Sequence, residues 1–388
     1  MRIAHIITRM IVGGAQENTL LCCQDLIQKH GDDVVLVTGP SLGPEGDLLA
    51  DGRAGGVPVT RIDSLRREIH PGRDWTAYRE ILRVLRDFRP EVVHTHSAKG
   101  GILGRMAATS LGVPAVIHTV HGSPFHDYQP ALAREFFRRC ERYAAGKCHV
   151  MVSVADAMTD LLVRTGVAPR EKFVTVYSGM DVEPFLQADS HREKTRAQFG
   201  FGPDEVVFGK IARLFHLKGH EYLIEAARSV VSRCPQVRFL LVGDGILRDS
   251  LQQRIRRAGL DEYFRFAGLV APERIPALIG GMDVLVHASL REGLARALPQ
   301  ALIAGKPVVS YDIDGAREVV LDGRTGYLVP PRGVDTLADA MRKLAENGSQ
   351  RREFGERGQS LFTEQFRHEN MTAQLRAIYG KVLSGQAL

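Results

Sequence analysis

Short apolar runs alternate with amphipathic stretches from one end of the chain to the other, and this restricts the fold more than any other property of the sequence. In the first half the runs are RIAHII, VVLVT, VPVTRI, VVHTH, AVIHTV, HVMVSV and VTVY, with helical patterns near 15–30, 75–88, 99–111, 131–145 and 156–165. In the second half they are VVFGKIA, VRFLLVG, FRFAG, DVLVHAS, KPVVSYD and GYLVP, with helical patterns near 219–233, 247–258, 272–280, 295–305, 334–346, 351–364 and 369–384. Continuous apolar strands separated by helices imply a parallel sheet covered on both faces. The pattern runs twice, and 388 residues exceed one ordinary core. The expected class is therefore α/β, with two doubly wound domains. The boundary is expected near 185, where VTVY gives way to YSGMDVEPFLQADSHREK, with its glycine, proline and polar run.

Several other classes are excluded. The longest apolar runs are strand-sized, far below a membrane span, and MRIAHIITRM reads as a first strand rather than a signal peptide. Five cysteines form no CxxC pair, and no Cys/His cluster has zinc spacing, so a reduced, cytoplasmic protein with cysteines acting as small hydrophobes is expected. The net charge of +6 is diffuse: residues 1–185 carry 22 Lys+Arg against 21 Asp+Glu, and the remainder 29 against 24. No dense basic stripe with interleaved aromatics points to nucleic acid.

In doubly wound sheets ligands bind beyond the carboxyl ends of the strands, and with two such domains the natural site is the cleft between them. After the first run, Gly13 and Gly14 precede a helix expected from about Ala15. This loop is either a tight turn or a place where backbone N–H groups meet an anion, and it is not GxGxxG. After VVHTH come Ser97 and Lys99, with His94 and His96 on one face of the strand end. Metal ligation there needs further ligands that the sequence does not place, and packed or hydrogen-bonded histidines are commoner. Lys99 faces an unfavourable dipole at a helix start, which suits an anionic partner or simple exposure. His121, beyond AVIHTV, is either structural or a donor to a hydroxyl and a general acid/base at neutral pH.

In the second half, KIARLFHLKG sets Arg213 and Lys218 across one loop. A fork-shaped guanidinium and a compact ammonium there suit a diphosphate. LVGDGILRDS lacks the third glycine of a dinucleotide fingerprint. Asp312-x-Asp314 is explained by a strand-to-loop turn without a metal. Glu292 ends the DVLVHAS strand region and Gly293 lets the chain turn, so the N–H groups of Gly293, Leu294 and Ala295 are expected to open a helix and cradle a phosphate. A carboxylate repels that phosphate, so Glu292 is expected to accept hydrogen bonds from neutral neighbours such as sugar hydroxyls. Gln300, on the helix, can bond a ribose. Together these form a grip for a nucleotide sugar.

The segments GGAQENTL, HTHSAKGGILGRMAA, VIHTVHGSPF, ARLFHLKG, LVGDG, REGLARALPQALIAGKPVV and GAREVVLDGRTGYLVPP occur in one order along nearly the whole chain. In this combination the sequence resembles the retaining GT-B glycosyltransferases, family 4 in particular. The resemblance implies two Rossmann-like domains facing a central cleft: an acceptor-binding domain over 1–185, a nucleotide-sugar domain over 186–366, and a last helix, 367–388, crossing back to the first. It implies catalytic roles for His121, Glu292, Arg213 and Lys218. Donor contacts would come from Gly14, Arg213, Lys218, Val270, Glu292, Gly293, Leu294, Ala295 and Gln300, and acceptor-side contacts from Arg66, Arg67, His96 and Lys99. Gln300 stands where the family's E-x7-E motif has its second acid, and Pro299 comes later than the family's proline. An amide oxygen accepts a hydrogen bond without charge assistance.

LRREIHPGRDW ahead of FRPEVVHTHSAKGG is similar to the branch that builds surface polysaccharides and lipid-linked oligosaccharides, whose acceptor is a sugar on a polyprenyl diphosphate. REFFRRCERYAAGK is either a basic amphipathic surface that touches membrane or a solvated helix face. The implied activity is retaining transfer from a nucleotide sugar, UDP-linked, to a glycan or lipid-linked acceptor, with no metal and no cofactor, in the cytoplasm or peripherally at the inner face of the cell membrane. Two alternatives remain: a GT-B-fold sugar-nucleotide epimerase, which needs no acceptor, and a non-catalytic nucleotide-sugar-binding subunit, which Gln300 would mark.

Overall fold

A computed structural model describes residues 1–43 and 46–386. The chain divides into two compact units, Met1–Met180 with Phe366–Leu388, and Asp181–Gln365. In the first, strands β1 (Arg2–Arg9), β2 (Asp33–Gly39), β3 (Val59–Arg61), β4 (Val92–His96), β5 (Ala115–Val120), β6 (Val150–Ser153) and β7 (Phe173–Thr175) form one sheet in the order β3-β2-β1-β4-β5-β6-β7. In the second, β8 (Val206–Ile211), β9 (Val237–Val242), β10 (Phe264–Gly268), β11 (Val284–His287), β12 (Val308–Tyr311) and β13 (Gly326–Val329) follow the order β10-β9-β8-β11-β12-β13. Every pairing within these two sheets is parallel. The expected pair of doubly wound sheets is present.

Each sheet starts in its middle, winds outward, then returns and winds the other way. The reversal falls between β1 and β4 and between β8 and β11. Loops leaving the carboxyl ends at such a point diverge, and the crevice they leave is where ligands bind.

Helices α1 (Gly14–Gln28), α2 (Pro71–Phe88), α3 (Ala98–Ser110) and α4 (Ala131–Ala145) cover the first sheet. One face of that sheet buries Ile3, Ile7, Val34, Leu36, Val92 and Ile117 in a core shared with Leu20, Cys22, Cys23 and Leu26 of α1 and with Met371, Leu375 and Tyr379. The two α1 cysteines act as the small hydrophobes expected, and burial pushes the Cys22 thiol up to about 12. In the second unit Phe208, Phe239, Val286 and Tyr311 pack beneath helix His220–Arg233 and helix Val334–Glu346.

The last helix, His368–Leu383, packs on α1 through polar ties rather than apolar contact alone. His368 Nδ1 and Thr372 Oγ1 lie 2.7 and 2.9 Å from Asp25 Oδ2, and Arg376 grips Asp32 at 2.8 and 3.2 Å. The first unit ends at Met180, not near 185, because Met180 N–H donates to Phe366 C=O at 2.8 Å and binds the outgoing segment to the returning one. The polar stretch read as a linker forms helices Glu183–Leu186 and Arg192–Phe199. These are pinned by Arg192 and Arg196 on Asp283, at 2.6 and 3.2 Å, rather than by an apolar stripe. A helix held that way carries little periodicity to read.

Candidate active site

At the reversal in the second sheet, the loops after β8 and β11 are laced together. Leu290 N–H donates to Leu217 C=O at 2.8 Å. Gly219 has φ 68°, and a Cβ there would lie 1.7 Å from Ala288 C=O, so only glycine lets the loops approach this closely. The lacing brings Lys218 Nζ to 2.6 Å from Glu292 Oε1. His287, the last residue of β11, reaches the same oxygen at 3.5 Å from Nε2, an ion-pair distance rather than a well-formed hydrogen bond. Burial pushes the Glu292 carboxyl up, but the His287 contact and the Lys218 charge outweigh it and hold the group well below the usual range. Glu292 is therefore a carboxylate already matched to a cation, where a neutral neighbour was expected. Both contacts fall on Oε1, and its backbone N–H donates to Asp314 Oδ2 at 2.7 Å.

The helix after Glu292 runs over Ala297–Ile303, later than the expected start near 295. Proline is tolerated only in a first turn, where its missing N–H costs nothing, and Pro299 therefore draws the start to 297. Gly293, Leu294 and Ala295 lie in the loop ahead of that helix rather than in its first turn. Gln300 is half-buried, and its side-chain amide makes no hydrogen bond among the described residues. Arg213 is exposed, with its guanidinium over the Phe215 ring at 5.0 Å, and Val270 is half-buried just beyond β10. Asp312 is paired with Arg317 at 3.0 and 2.7 Å.

Sequence reasoning missed three buried polar groups in this unit. Lys210 on β8 is fully buried, and its ammonium has no hydrogen-bond partner among the described residues. Burial lowers it to about 7, with Glu292 opposing. Both ring nitrogens of His220 are likewise unpartnered, and burial holds that ring at about 2. His287 was passed over as a strand residue. The only signal for Lys210 was a cation inside the apolar run VVFGKIA. Lys210→Met is expected to raise the unfolding midpoint at pH 7. Between about 7 and the ordinary 10.5 the unfolded chain holds a proton that the folded one does not, so the burial penalty is complete below 7 and fades as pH rises. Thermal melts from pH 7 to 10.5 check this. A variant no more stable than wild type at pH 7 contradicts it.

In the first unit, His96 is 1 % exposed and does not reach the surface as an acceptor contact would require. It lies between two other rings, with Nε2 at 3.0 Å from His5 Nδ1 and Nδ1 at 3.1 Å from His121 Nε2. His94 Nδ1 meets Tyr379 Oη at 2.5 Å and its Nε2 meets Thr119 Oγ1 at 2.7 Å. The parallel register pairs His5 with His94 and supplies the third histidine that the sequence did not place. His5, His94 and His96 offer nitrogens within 4.8 Å of one another, the one metal-competent group found among the described residues. Both nitrogens of His94 and His96 are already engaged, so an ion would have to displace hydrogen bonds.

Burial holds His5 at about 3 and His96 well below the ordinary value, so both are neutral. A neutral imidazole donates from one nitrogen and accepts at the other. If His5 donates from Nδ1, then His96 donates from Nδ1, and a neutral His121 carries its proton on Nδ1. If the order is reversed, all three carry it on Nε2. Nitrogen-15 NMR of histidine-labelled protein is expected to show one shared tautomer for His5, His96 and neutral His121, and His96→Phe to release the other two. Mixed tautomers in the wild type contradict the chain of bonds.

The remaining predicted residues of this unit are Lys99, Gly14, Arg66 and Arg67. Lys99 Nζ pairs with Asp74 Oδ1 at 2.6 Å and also meets the Glu68 carbonyl, so its anionic partner is a protein carboxylate. Gly14 opens α1, with Gly13 as its cap. Arg66 and Arg67 line a recess after β3.

The sequence matches two family models, "Glycosyl transferase 4-like domain" over residues 14–179 and "Glycosyl transferases group 1" over residues 191–361. It is 27 % identical over 349 residues to the UDP-Gal:alpha-D-GlcNAc-diphosphoundecaprenol alpha-1,3-galactosyltransferase of Escherichia coli, covering 89 % of this chain and 88 % of that protein. It is 26 % identical to the alpha-D-kanosaminyltransferase of Streptomyces kanamyceticus, covering 78 % and 81 %. Among solved structures, Anabaena Alr3699/HepE in complex with UDP superposes with a TM-score of 0.80 at 22 % identity, over 98 % of this chain and 100 % of that one. The sucrose-phosphate synthase of Thermosynechococcus elongatus superposes with a TM-score of 0.83 at 19 % identity, over 100 % of both. Two doubly wound sheets, each matched by a glycosyltransferase family model, together make this chain a member of the GT-B glycosyltransferases, and an enzyme.

Proposed function

We propose that this glycosyltransferase takes a UDP-sugar and transfers the sugar, with retention and without a metal, to a glycan carried on a polyprenyl diphosphate. The observation that carries the donor half is the Lys218–Glu292 pair at the reversal of the second sheet, with Arg213 on the same loop as Lys218. Lys218 and Arg213 neutralise the departing diphosphate, a charge task that elsewhere falls to a metal ion. Glu292 turns Oε2 to sugar hydroxyls while Oε1 stays with Lys218, and Val270 and the loop Gly293–Ala295 line the donor. The departing phosphate oxygen takes the acceptor's proton on the face it leaves, so no enzyme nucleophile is needed.

The acceptor half is supported by the E. coli relative, whose name specifies a diphosphoundecaprenol-linked sugar, and the UDP by that name and by the HepE complex. No described helix is long and apolar enough to cross a membrane. A peripheral contact with the inner face of the cell membrane is proposed through α4, which exposes Leu132 (89 %), Phe136 (52 %) and Tyr143 (56 %) along one side.

Calorimetry against a panel of nucleotide sugars in EDTA tests the donor reading, with UDP and one UDP-sugar expected to bind. Loss of binding in EDTA, restored by manganese, removes the metal-free reading. Gln300→Leu is expected to weaken UDP and UDP-sugar alike, by about 1 kcal/mol for one lost hydrogen bond. Glu292→Gln is expected to weaken only UDP-sugar. Unchanged binding of both ligands by Gln300→Leu takes the ribose role from Gln300.

A further inference from the structure

Lys210, His220 and His287 are buried side chains of the second unit whose nitrogens have no hydrogen-bond partner among the described residues. Lys210 lies on β8, ahead of the loop that carries Lys218. His220 opens helix His220–Arg233 after that loop, and His287 ends β11 ahead of Glu292. Lys210 shares a face of its strand with Phe208, which packs beneath helix His220–Arg233. Its partner in register on β9 is Leu241, an apolar residue. The charged and titratable groups whose fields reach it are Glu292 and His287 from β11 and its loop, Lys218 from the loop after β8, and His220 and Glu221 from the helix. The lysine is thus in the second layer behind the Lys218–Glu292 pair, and the function proposed above leaves it without a task.

An ammonium buried without a partner is costly, and loss of its proton removes most of that cost. Burial brings Lys210 down to about 7, so it is poised between its two forms at neutral pH, whereas burial holds His220 and His287 below the ordinary histidine value. Without a donor, Lys218 matches Glu292 one to one at 2.6 Å. A UDP-sugar brings two further negative charges, and the donor reading sets Lys218 and Arg213 against them. Glu292 and the diphosphate then carry three negative charges against two positive ones, and Lys210 is the nearby group able to supply a third. Resting on that donor reading, we infer that Lys210 is a positioning residue of the donor site: it takes a proton from solvent when the diphosphate binds, and its charge holds the Glu292 carboxylate once Lys218 is shared with the phosphates. The step forms one N–H bond on Lys210 Nζ, the buffer gives up the proton, and no bond of the donor breaks.

The test is calorimetry on the full chain with UDP-glucose or UDP-galactose, whichever binds tighter, in HEPES and in Tris at pH 7.5. The two buffers give up protons with different heats, so the difference in binding heat counts the protons taken up. The diphosphate of a UDP-sugar has no proton of its own to exchange in this range. Below pH 7 the lysine is protonated with or without donor; above it, binding must restore the proton and so weakens as pH rises. A gain of about tenfold in the proton affinity of Lys210 gives an uptake of about half a proton at pH 7.5 and a loss of about sixfold in donor affinity from pH 6.5 to 8.5. Lys210→Met is expected to show neither, with no fall in melting temperature. Carbon-13 NMR of lysine-labelled protein reads the same step directly: the Lys210 Cε resonance, identified by its absence from Lys210→Met, is expected to titrate at higher pH with donor bound. The inference is overturned if wild type takes up no proton at pH 7.5, if Lys210→Met takes up as much as wild type, or if the Lys210 resonance titrates alike with and without donor. Failure of wild type to bind any UDP-sugar sinks the donor reading as well, whereas binding without proton uptake sinks this inference alone.

Discussion

Lys218→Ala is expected to lower kcat for sugar transfer by about 10²–10³, as removal of one preorganised charge from a developing oxyanion does elsewhere. Its ammonium is held 2.6 Å from Glu292 Oε1, so the charge has a fixed position on the loop. The pair is partly exposed, at 21 % and 20 %, and its contribution to folding is small, so the melting temperature should barely move. Steady-state kinetics with the preferred UDP-sugar, beside a thermal melt, checks both halves. In Lys218→Ala/Glu292→Gln the second substitution should cost less than it does alone, because the carboxylate it removes has already lost its cation. A kcat within about threefold of wild type in Lys218→Ala would place the diphosphate elsewhere.

The second large effect is on stability. Arg105 Nη2 and Glu141 Oε1 lie 2.8 Å apart between α3 and α4, with side chains 0 % and 2 % exposed. Removing one partner leaves the other charge buried and uncompensated, at a cost of about 3–5 kcal/mol. Glu141→Gln is therefore expected to lower the urea midpoint of the first unit sharply. Arg105→Met/Glu141→Leu should recover most of the loss, because an apolar pair of similar bulk leaves nothing to desolvate. A single variant within about 1 kcal/mol of wild type would mean that water reaches the pair.

The strands were readable because parallel sheets buried on both faces require continuous apolar runs, and no other feature of the chain imitates VVHTH or VRFLLVG. Pairings across the sheet were not readable. Lys218 and Glu292 each stood out by residue type and position, yet they are 74 residues apart, and only the placement of β8 beside β11 joins them. The same holds for His5 and His96, 91 residues apart, which meet because β1 lies beside β4. Their junction turned His96 from an acceptor-side candidate into the link between His5 and His121. For Lys99 an anionic partner or exposure was expected, and the anion is Asp74, on a different helix, which the sequence could not pair with it. The helix start after Glu292 was set by Pro299, a residue seen in the sequence but weighed only against the family pattern.

The central claim is retaining transfer from a UDP-sugar to a lipid-linked acceptor, and proton NMR of one reaction tests it directly. Wild-type protein is incubated in EDTA with the UDP-α-hexose that binds best and a short-chain polyprenyl diphosphate-linked sugar. The predicted result is one equivalent of UDP per glycosidic bond formed, with the new anomeric proton in the α configuration and no change in the donor when acceptor is left out. A β-linked product, epimerisation of the donor without acceptor, or binding of UDP-hexose with no turnover would each contradict it.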